Sequence, residues 1–504
     1  MTYRKIVNFL GSRKFFALLL IIFGVEAAWI ALTARYPQAF DEQSHLGIIQ
    51  LYAHQWSPFF AHQPSGADVY GALTRDPSYL YHYLMSFPWR LITHLTHSFT
   101  AQVIIMRFLN IILFGSSFFM FRKVLGYTPA SKALIQVSLL FLALTPVVPL
   151  LASQINYDNM FIPLSGLAVL WCLRFVRAFR EQQRIQFDIL AQLAVICLLG
   201  SLVKYAFLPI FAAIFVIITI ILWRARSDQL RSMLSQGWRA ISRVQRVVYA
   251  AILLVSIGLF TQIYAINILR YHTPVPECDQ VLSVKECAGY APWLRNYDIV
   301  QSKTTPPFWQ EVTYSFDWLY HSMGELIFTI SSSFNTMGTV DYYVGTQTIA
   351  VEVLAWSIFG IGVLVSLLYA KYIWRNETLR LFVVIIGVYV FALWAQNYED
   401  YLHTGQPLAI HGRYLLPILP LVYVIVALAV RKLLQARRIM SGVSFSTRKV
   451  TLAAIVLVVL CTQGGGSLTY IVRSDPSWFW PQSTAAQRVN AKAKKILNPV
   501  ILGD

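Results

Sequence analysis

The sequence predicts an all-α polytopic membrane protein, on two observations. Of the 504 residues, 57% are hydrophobic and only 13% are charged, and the mean hydropathy is +0.56. So few polar side chains cannot cover a water-soluble core. Apolar runs also recur at the length of a membrane span, since a bilayer core of about 30 Å needs roughly 20 apolar residues per helix. We identify 11 such windows, at residues 15–33, 103–121, 133–152, 159–177, 188–203, 205–223, 247–268, 347–370, 380–397, 413–430 and 450–472.

Charged and helix-breaking residues decide how individual apolar segments are interpreted. The first window follows a basic stretch, as in a signal peptide, but no small-residue cleavage site follows, so we expect an uncleaved span. Windows 188–203 and 205–223 are joined at Lys204. The apolar segment 79–96 contains two histidines, a proline and an arginine. Polar residues at such positions are expensive in hydrocarbon, so this segment is predicted to be an interfacial helix.

The distribution of basic residues predicts the orientation of the chain. With the N-terminus in the cytoplasm, the inner segments hold 26 of the 41 basic residues; they are 1–14, 122–132, 174–187, 224–246, 371–380 and 431–449. This bias is the positive-inside pattern. It accounts for most of the net charge of +18 without a nucleic-acid partner. We expect a multi-pass protein of the plasma (inner) membrane whose functional site is extracytoplasmic.

Two long loops on the extracytoplasmic side interrupt the predicted domain. Residues 1–472 form one transmembrane domain with external loops at 34–102 and 269–346, and residues 473–504 form an external tail. Long loops in a compact protein are usually functional. Cys278 and Cys287 lie in the second loop, facing an oxidising compartment, and are predicted to form a disulfide. It would stabilise the loop by about 2–3 kcal/mol.

An acidic pair at the exit of the first span is the first candidate site. In "AFDEQSH", Asp41 and Glu42 follow the apolar run directly, and His45 follows Asp41 by one helical turn. Residues four apart share a helix face. An acidic pair at the start of a solvated loop is usually unremarkable, but this polar stripe continues through "HLGIIQLYAHQW". The pair is therefore a candidate for acid–base chemistry.

Further charged residues are predicted to lie on the same side of the membrane. Asp158 opens the fourth span in "SQINYDNMF", where it is either a helix-dipole partner or a site residue. Arg107 lies within the second span, where a charge is costly. His411 and Arg413 lie in "HTGQPLAIHGRYLLPILP", beside Tyr414, and either bind a phosphate or reach toward lipid headgroups.

Acids and cations gathered at one membrane face suit a lipid-linked phosphate substrate. Cations there would hold the phosphate, while a carboxylate would take a proton from an acceptor hydroxyl as it attacks a sugar. An inverting transfer of this kind needs one base and a stabilised leaving phosphate. No nucleotide-binding loop of the Walker or GxGxxG type is present in the sequence.

Several segments resemble the GT-C class of membrane glycosyltransferases. They are "DPSYLYHYLMSFPWRL", "RFLNIILFGSSFFMFRKVLGY", "LALTPVVPLLASQINYDNMFIPLSGLAVLWCLRF" and "LLGSLVKYAFLPI". Members include protein mannosyltransferases and the lipid A aminoarabinose transferase, which use polyprenyl-phosphate sugars. The later segments "GRYLLPILPL" and "ECDQVLSVKECAGYAPWLRNYD" look closer to a bacterial branch of predicted polytopic proteins thought to share this fold. The resemblance extends from about residue 15 to residue 430.

The resemblance implies roles for the acidic pair, for Asp158 and for Lys204, and the remaining candidates are predicted from the residues themselves. The acid after the first span, matching Asp41 with Glu42 as its neighbour, would be the catalytic base; which of the two acts stays open, with Asp41 favoured. Asp158 would help to organise the site and Lys204 would meet the donor phosphate. The residues predicted to bind the donor phosphate are Lys204, Arg413, Arg107, His411 and Tyr414. His45 and Arg295 are expected to contact the acceptor or the donor.

The sequence leaves more than one alternative for the cofactor, the partners and the function class. Two alternatives stay open for the cofactor: a divalent cation (Mg, Mn or Ca) bridges Asp41, Glu42 and the donor phosphate, or Arg and Lys side chains suffice without a metal. The expected partners are a polyprenyl-phosphate sugar donor, a lipid, glycan or protein acceptor, and membrane lipids. A transporter would instead need ionisable residues deep in the spans, as at Glu26, Arg107 and Glu352. A lipid-binding protein without catalysis is the third class.

Overall fold

A computed structural model of the protein describes residues 3–38, 41–182, 185–224, 227–302, 308–328, 349–441 and 478–501. Within these ranges the secondary structure is helical, apart from one isolated antiparallel bridge between Ala34 and Phe479. The predicted all-α class is confirmed. From the N-terminus the helices are α1 (Tyr3–Leu10), α2 (Arg13–Thr33), α3 (Glu42–Ala53), α4 (Leu80–Leu95), α5 (Phe99–Leu125), α6 (Lys132–Leu144), α7 (Val147–Ala152), α8 (Asp158–Gln182), α9 (Phe187–Val203), α10 (Leu208–Trp223) and α11 (Ser227–Ala240).

The second half of the chain contributes the remaining helices. They are α12 (Arg243–Phe260), α13 (Ile266–Tyr271), α14 (Cys278–Val281), α15 (Val284–Cys287), α16 (Ala291–Gln301), α17 (Phe308–Phe328), α18 (Ile349–Leu368), α19 (Ala370–Arg375), α20 (Glu377–Thr404), α21 (Leu419–Ser441) and α22 (Thr484–Ile501). Short 3₁₀ turns lie at Asp68–Tyr70, Tyr205–Phe207 and Gly412–Leu415, and a π turn at Thr261–Ala265 joins α12 to α13.

Ten apolar helices in the described ranges coincide with the first ten predicted spans. Seven are long enough to cross a membrane by length and composition: Arg13–Thr33, Phe99–Leu125, Asp158–Glu181, Tyr205–Trp223, Arg243–Tyr271, Glu377–Thr404 and Leu419–Ala436. Three are shorter, namely Lys132–Leu144, Phe187–Val203 and Trp356–Leu368. The eleventh predicted span, 450–472, lies outside the described residues, so the count of 11 stays a prediction. The segment 79–96, which is predicted to be an interfacial helix, forms α4; its position at the membrane interface stays a prediction.

The third predicted span is not one continuous helix. Residues 133–152 divide into α6 and α7, with a break at Thr145 and Pro146. Proline has no backbone N–H and its ring crowds the preceding turn, which favours the end of α6 before Pro146. Pro88 and Pro163 lie inside continuous helices, so a proline within an apolar window is not by itself sufficient to predict a break.

Close packing of α2, α5 and α8 forms the centre of the domain. Phe23 of α2 lies against Phe114 and Phe118 of α5, with ring centroids 5.5 and 5.0 Å apart. One helical turn further along α5, a Cβ atom added at Gly166 of α8 would lie 3.4 Å from the Phe121 ring. Lipid tails are as apolar as these rings, so close packing and not exclusion of water holds such helices together. This frame fixes the ends of the helices that carry the site.

The first and second long loops of the chain contact each other. The predicted disulfide between Cys278 and Cys287 is formed, with its Cα atoms 5.8 Å apart. It joins α14 to α15, and Tyr290 follows directly. A Cβ atom at Gly71 of the first loop would lie 3.2 Å from the Tyr290 ring, and Gly71 has a φ of +78° that favours glycine. The second loop therefore contacts the first one through this tyrosine.

Candidate active site

Glu42 and Arg107 form a fully buried ion pair that joins the start of α3 to α5. The side chains of both residues have 0% relative exposure. Arg107 Nε donates to Glu42 Oε1 at 2.8 Å and Arg107 Nη2 donates to Oε2 at 2.7 Å. The backbone N–H groups of Gln38 and Ile155 donate to the same carboxylate at 2.7 and 3.1 Å. The acid that neighbours Asp41 is thereby fully occupied.

The remaining donors of Arg107 bind the backbone at the end of the first span. Its Nη1 donates to the carbonyl oxygens of Ala31 and Ala34, at 3.2 and 2.6 Å. Bidentate pairing with a carboxylate and two carbonyl contacts use the planar donor set of a guanidinium. This environment does not suit the phosphate contact that the sequence analysis expected of Arg107. The pair instead ties α5 to the start of α3.

Asp41 has the opposite environment. It precedes α3 with φ +65° and ψ +27°, in the left-handed region, and its side chain makes no capping hydrogen bond. The side chain is 67% exposed, and its Oδ2 accepts from Arg413 Nη2 at 3.4 Å. Charge-assisted hydrogen bonds are normally about 2.7–2.9 Å long. Asp41 is therefore accessible and loosely held, in a backbone conformation that costs energy for most residues other than glycine.

Lys204 and Asp158 form a further buried ion pair in the site. Lys204 Nζ donates to Asp158 Oδ1 at 2.6 Å, and each side chain is 4% exposed. Asp158 begins α8, where Asn156 Oδ1 accepts from the Asp158 backbone N–H at 2.9 Å. Lys204 directly follows Val203, the last residue of α9. The break between α9 and α10 therefore places an ammonium group beside Asp158.

Tyr414 and Tyr157 lie beside Lys204, and Tyr414 also contacts Arg413, so the Lys204–Asp158 and Arg413–Asp41 pairs are adjacent. Lys204 Nζ lies 4.4 Å from the Tyr414 ring centroid and 4.5 Å from that of Tyr157. Arg413 Nη2 lies 3.4 Å from the Tyr414 hydroxyl, to which it donates. The carbonyl of Tyr414 accepts from the hydroxyl of Tyr389 in α20 at 2.7 Å. Aromatic faces stabilise cations, so both cations are held at one place.

A buried asparagine that sequence reasoning missed supports the acids. The Oδ1 atom of Asn110 accepts from the hydroxyl of Tyr81 at 2.8 Å and from Asn159 Nδ2 at 3.1 Å. The backbone N–H of Asn156 lies 3.4 Å from the same oxygen. These contacts hold the turn that precedes α8. An asparagine within an apolar helix was the available signal, since such polar groups need partners in the membrane.

His45 contacts His82, a residue that the sequence did not predict to belong to the site. His45 Nδ1 lies 2.9 Å from His82 Nε2, and His82 Nδ1 lies 3.2 Å from the carbonyl oxygen of Ser78. Burial, the neighbouring His82 and the charges of Arg413 and Lys204 lower the pKa of His45 well below its usual 6.5. Burial lowers the pKa of His82 to about 3. Both rings are therefore neutral at physiological pH.

The other predicted residues lie at different distances from this cluster. The His411 ring lies 5.5 Å from the ring of Tyr414, edge to face, at the margin of the site. Arg295 is exposed on α16 and donates to Asn296 Oδ1 at 2.9 Å. Among the described residues, no contact joins Arg295 to the cluster. Its predicted role in substrate contact gains no support from this placement.

The donor set at the acidic pair does not favour a divalent cation. Both oxygens of Glu42 are engaged by Arg107 and backbone amides, and Asp41 lies against Arg413. In the described part of the chain, no three His, Cys, Asp or Glu side chains are grouped as metal ligands. A fixed guanidinium beside a carboxylate repels a second cation.

Comparison with solved structures finds similar helical proteins. Over 98% of this chain and 71% of that chain, the structure is similar to ArnT from Cupriavidus metallidurans bound to undecaprenyl phosphate, at 11% identity and a TM-score of 0.45. It is also similar to the Archaeoglobus fulgidus oligosaccharyltransferase tethered with an acceptor peptide, at 14% identity and a TM-score of 0.44, over 96% of this chain and 59% of that chain. No protein-family model and no curated protein sequence matches the chain.

Proposed function

We propose that this chain is an integral membrane glycosyltransferase that moves a sugar from a polyprenyl-phosphate donor to an acceptor. The single observation that carries this proposal is the cluster of Asp41, Arg413, Lys204 and Asp158 around Tyr414. It combines one accessible carboxylate with two cations held by aromatic rings, and its parts come from four separate places in the chain.

The accessible carboxylate of Asp41 acts as the general base. It takes the proton of an acceptor hydroxyl while the acceptor oxygen forms a bond to the anomeric carbon of the sugar. The bond from that carbon to the phosphate oxygen breaks, and its electron pair leaves with the phosphate. One displacement of this kind inverts the anomeric configuration. Glu42 takes no part in proton transfer, because Arg107 and two backbone amides occupy its oxygens.

Arg413 and Lys204 bind the leaving phosphate. The 3.4 Å contact between Arg413 and Asp41 is weak enough to be exchanged for a phosphate oxygen, which frees the carboxylate for the acceptor. Tyr414 supplies a hydroxyl beside Arg413. Asp158 keeps Lys204 charged and oriented at this buried position, which stabilises the phosphate as its charge develops.

The site faces the extracytoplasmic side of the plasma (inner) membrane, with the N-terminus in the cytoplasm. The positive-inside bias of the intervening segments supports this orientation. At headgroup depth the cluster is reached by a phosphate whose polyprenyl chain stays in the bilayer. The acceptor is a lipid, a glycan or a protein that presents a hydroxyl from outside.

The test is transfer by the purified protein in proteoliposomes from a panel of undecaprenyl-phosphate sugars. We expect Asp41→Asn to lower the transfer rate about 10²- to 10⁴-fold, as for loss of a general base, while binding of undecaprenyl phosphate measured by native mass spectrometry stays within about twofold. Asp279→Asn, at an exposed acid of the second loop, is the matched control and should transfer normally.

Two outcomes would reject the proposal. Transfer by Asp41→Asn at the wild-type rate would remove the base from its assigned role. Binding of undecaprenyl phosphate with no transfer from any donor would instead favour a lipid-binding protein without catalysis.

A further inference from the structure

His45 and His82 form a buried pair that proton abstraction and phosphate binding leave unused. His45 lies one helical turn after Asp41, and its backbone N–H donates to the Asp41 carbonyl at 3.0 Å. Both rings are buried, and they meet edge to edge with centroids 5.2 Å apart and planes inclined by 20°. Two neutral imidazoles in such a place are costly unless their polar atoms have partners.

The contacts of the pair determine which nitrogen carries each proton. A carbonyl oxygen only accepts, so His82 Nδ1 must donate to Ser78 O. In a neutral ring, His82 Nε2 is then the acceptor, and it accepts from His45 Nδ1–H. His45 Nε2 is left with a lone pair and no proton. Within the described residues, no hydrogen bond is made by this nitrogen.

The ring of His45 lies beside Tyr157, the same aromatic ring that Lys204 contacts. It contacts Tyr157 edge to face, with centroids 4.5 Å apart, and Lys204 Nζ lies 4.5 Å from the same Tyr157 ring. Asp41 immediately precedes α3, and its backbone carbonyl accepts from the backbone N–H of His45 at 3.0 Å. The group that sits between an acceptor hydroxyl and the donor phosphate during transfer is the sugar.

The chemistry of the free nitrogen selects its partner. A lone pair repels a phosphate oxygen, so His45 Nε2 cannot contribute to phosphate binding. It needs a donor, and the donors that a sugar offers are its hydroxyl groups. A buried acceptor matched to a hydroxyl also discriminates against a substrate that lacks it, because the acceptor is then left unpaired.

We propose, on the basis of the glycosyltransferase function proposed above, that His45 Nε2 accepts a hydrogen bond from a hydroxyl of the donor sugar and thereby selects the sugar. His82 is a positioning residue that fixes the tautomer of His45 through the contact between Nδ1 and Nε2.

The first experiment measures binding with two probes, undecaprenyl phosphate alone and the undecaprenyl-phosphate sugar that the wild type uses, by native mass spectrometry of the full chain. His45→Phe keeps the ring shape and removes the acceptor. We expect it to weaken binding of the sugar-bearing lipid by about tenfold, the usual size of one hydrogen bond, and to leave undecaprenyl phosphate within about twofold.

The second experiment uses mono-deoxy forms of that sugar and the His82 variants. The wild type should bind one of the deoxy donors about as weakly as the His45→Phe variant binds the parent donor. The His45→Phe variant should bind that deoxy donor and the parent donor equally. His82→Phe should lose part of the same selectivity, and His82→Gln, whose amide oxygen accepts from His45 Nδ1–H, should restore it. A purely structural role would not be reversed by this conservative change.

The outcomes separate this inference from the proposed function. Equal loss of both lipids in His45→Phe, or loss of neither, with transfer intact in the wild type, would overturn the role of His45 alone. Failure of the wild type to bind either lipid would overturn both proposals.

Discussion

Replacing Glu42 by glutamine should destabilise the protein far more than replacing its neighbour Asp41 by asparagine. In Glu42→Gln, the Arg107 guanidinium keeps its charge at a position with 0% exposure. One of the two amide positions becomes an N–H donor that faces donors from Arg107 and from a backbone amide. The two variants are adjacent in sequence and differ only in surroundings.

The magnitude follows from the burial of the pair. Removing one partner of a buried ion pair typically costs about 3–5 kcal/mol, because an uncompensated charge stays behind. Asp41 is 67% exposed, Arg413 is 5% exposed, and the contact of 3.4 Å between them is long. Because water screens the Asp41 end of the pair, its loss is expected to cost about 0–1 kcal/mol. We therefore expect a difference of at least about 2 kcal/mol between the two variants.

The assay is reversible unfolding of the purified protein in mixed micelles by titration with SDS, followed by circular dichroism. Glu42→Gln with Arg107→Met removes both charges and should recover a large part of the loss, which a double-mutant cycle measures as coupling. Equal stability of Glu42→Gln and the wild type would refute this interpretation of the buried pair. So would transfer activity lost in Glu42→Gln with no change in its unfolding.

Three further variants test other parts of the structure. Arg413→Gln should weaken binding of undecaprenyl phosphate about 10- to 100-fold, the size of a charged hydrogen bond, whereas Arg295→Gln, outside the cluster, should bind normally in the same native mass spectrometry assay. Cys278→Ser should cost about 2–3 kcal/mol by loss of a loop constraint, seen as faster hydrogen exchange in α14–α16; unchanged exchange would argue against the disulfide. His82 has a pKa lowered to about 3 in the folded protein, so its stabilising contribution is complete above its unfolded pKa of about 6.5 and falls by up to about 1.4 kcal/mol per pH unit below it; SDS titrations at pH 7.5 and 5.5 should show a smaller loss in His82→Phe, and an identical loss would contradict the neutral pair.

Local patterns in the sequence were sufficient for the span helices. Hydropathy, the length of apolar runs and the position of basic residues are properties of short segments, so the first ten windows coincide with apolar helices. The break before Pro146 is an exception, because Pro88 and Pro163 lie inside continuous helices. The order of the spans placed Asp158 and Lys204 on the same side of the membrane, but their ion pair was not predicted, because the two residues belong to different spans.

The environments of Asp41 and Glu42 had no local signal. The two acids are adjacent and chemically alike, yet one is 67% exposed beside Arg413 and the other has 0% exposure beside Arg107. The partners lie 372 and 65 residues away along the chain. Only the placement of the start of α3 beside Arg107 of α5 and the position of the 3₁₀ turn at Gly412–Leu415 decide which acid meets which arginine.

The amino-acid sequence by itself determined that the chain is helical, where most of its apolar helices lie and which ionisable residues stand near the predicted outer face. Those properties depend on the free energy of transferring short segments into lipid, which each segment carries alone. The tertiary structure decided which carboxylate is accessible, which arginine is occupied and which nitrogen of His45 is without a proton. Those properties depend on distances between atoms of different helices, which no single segment contains.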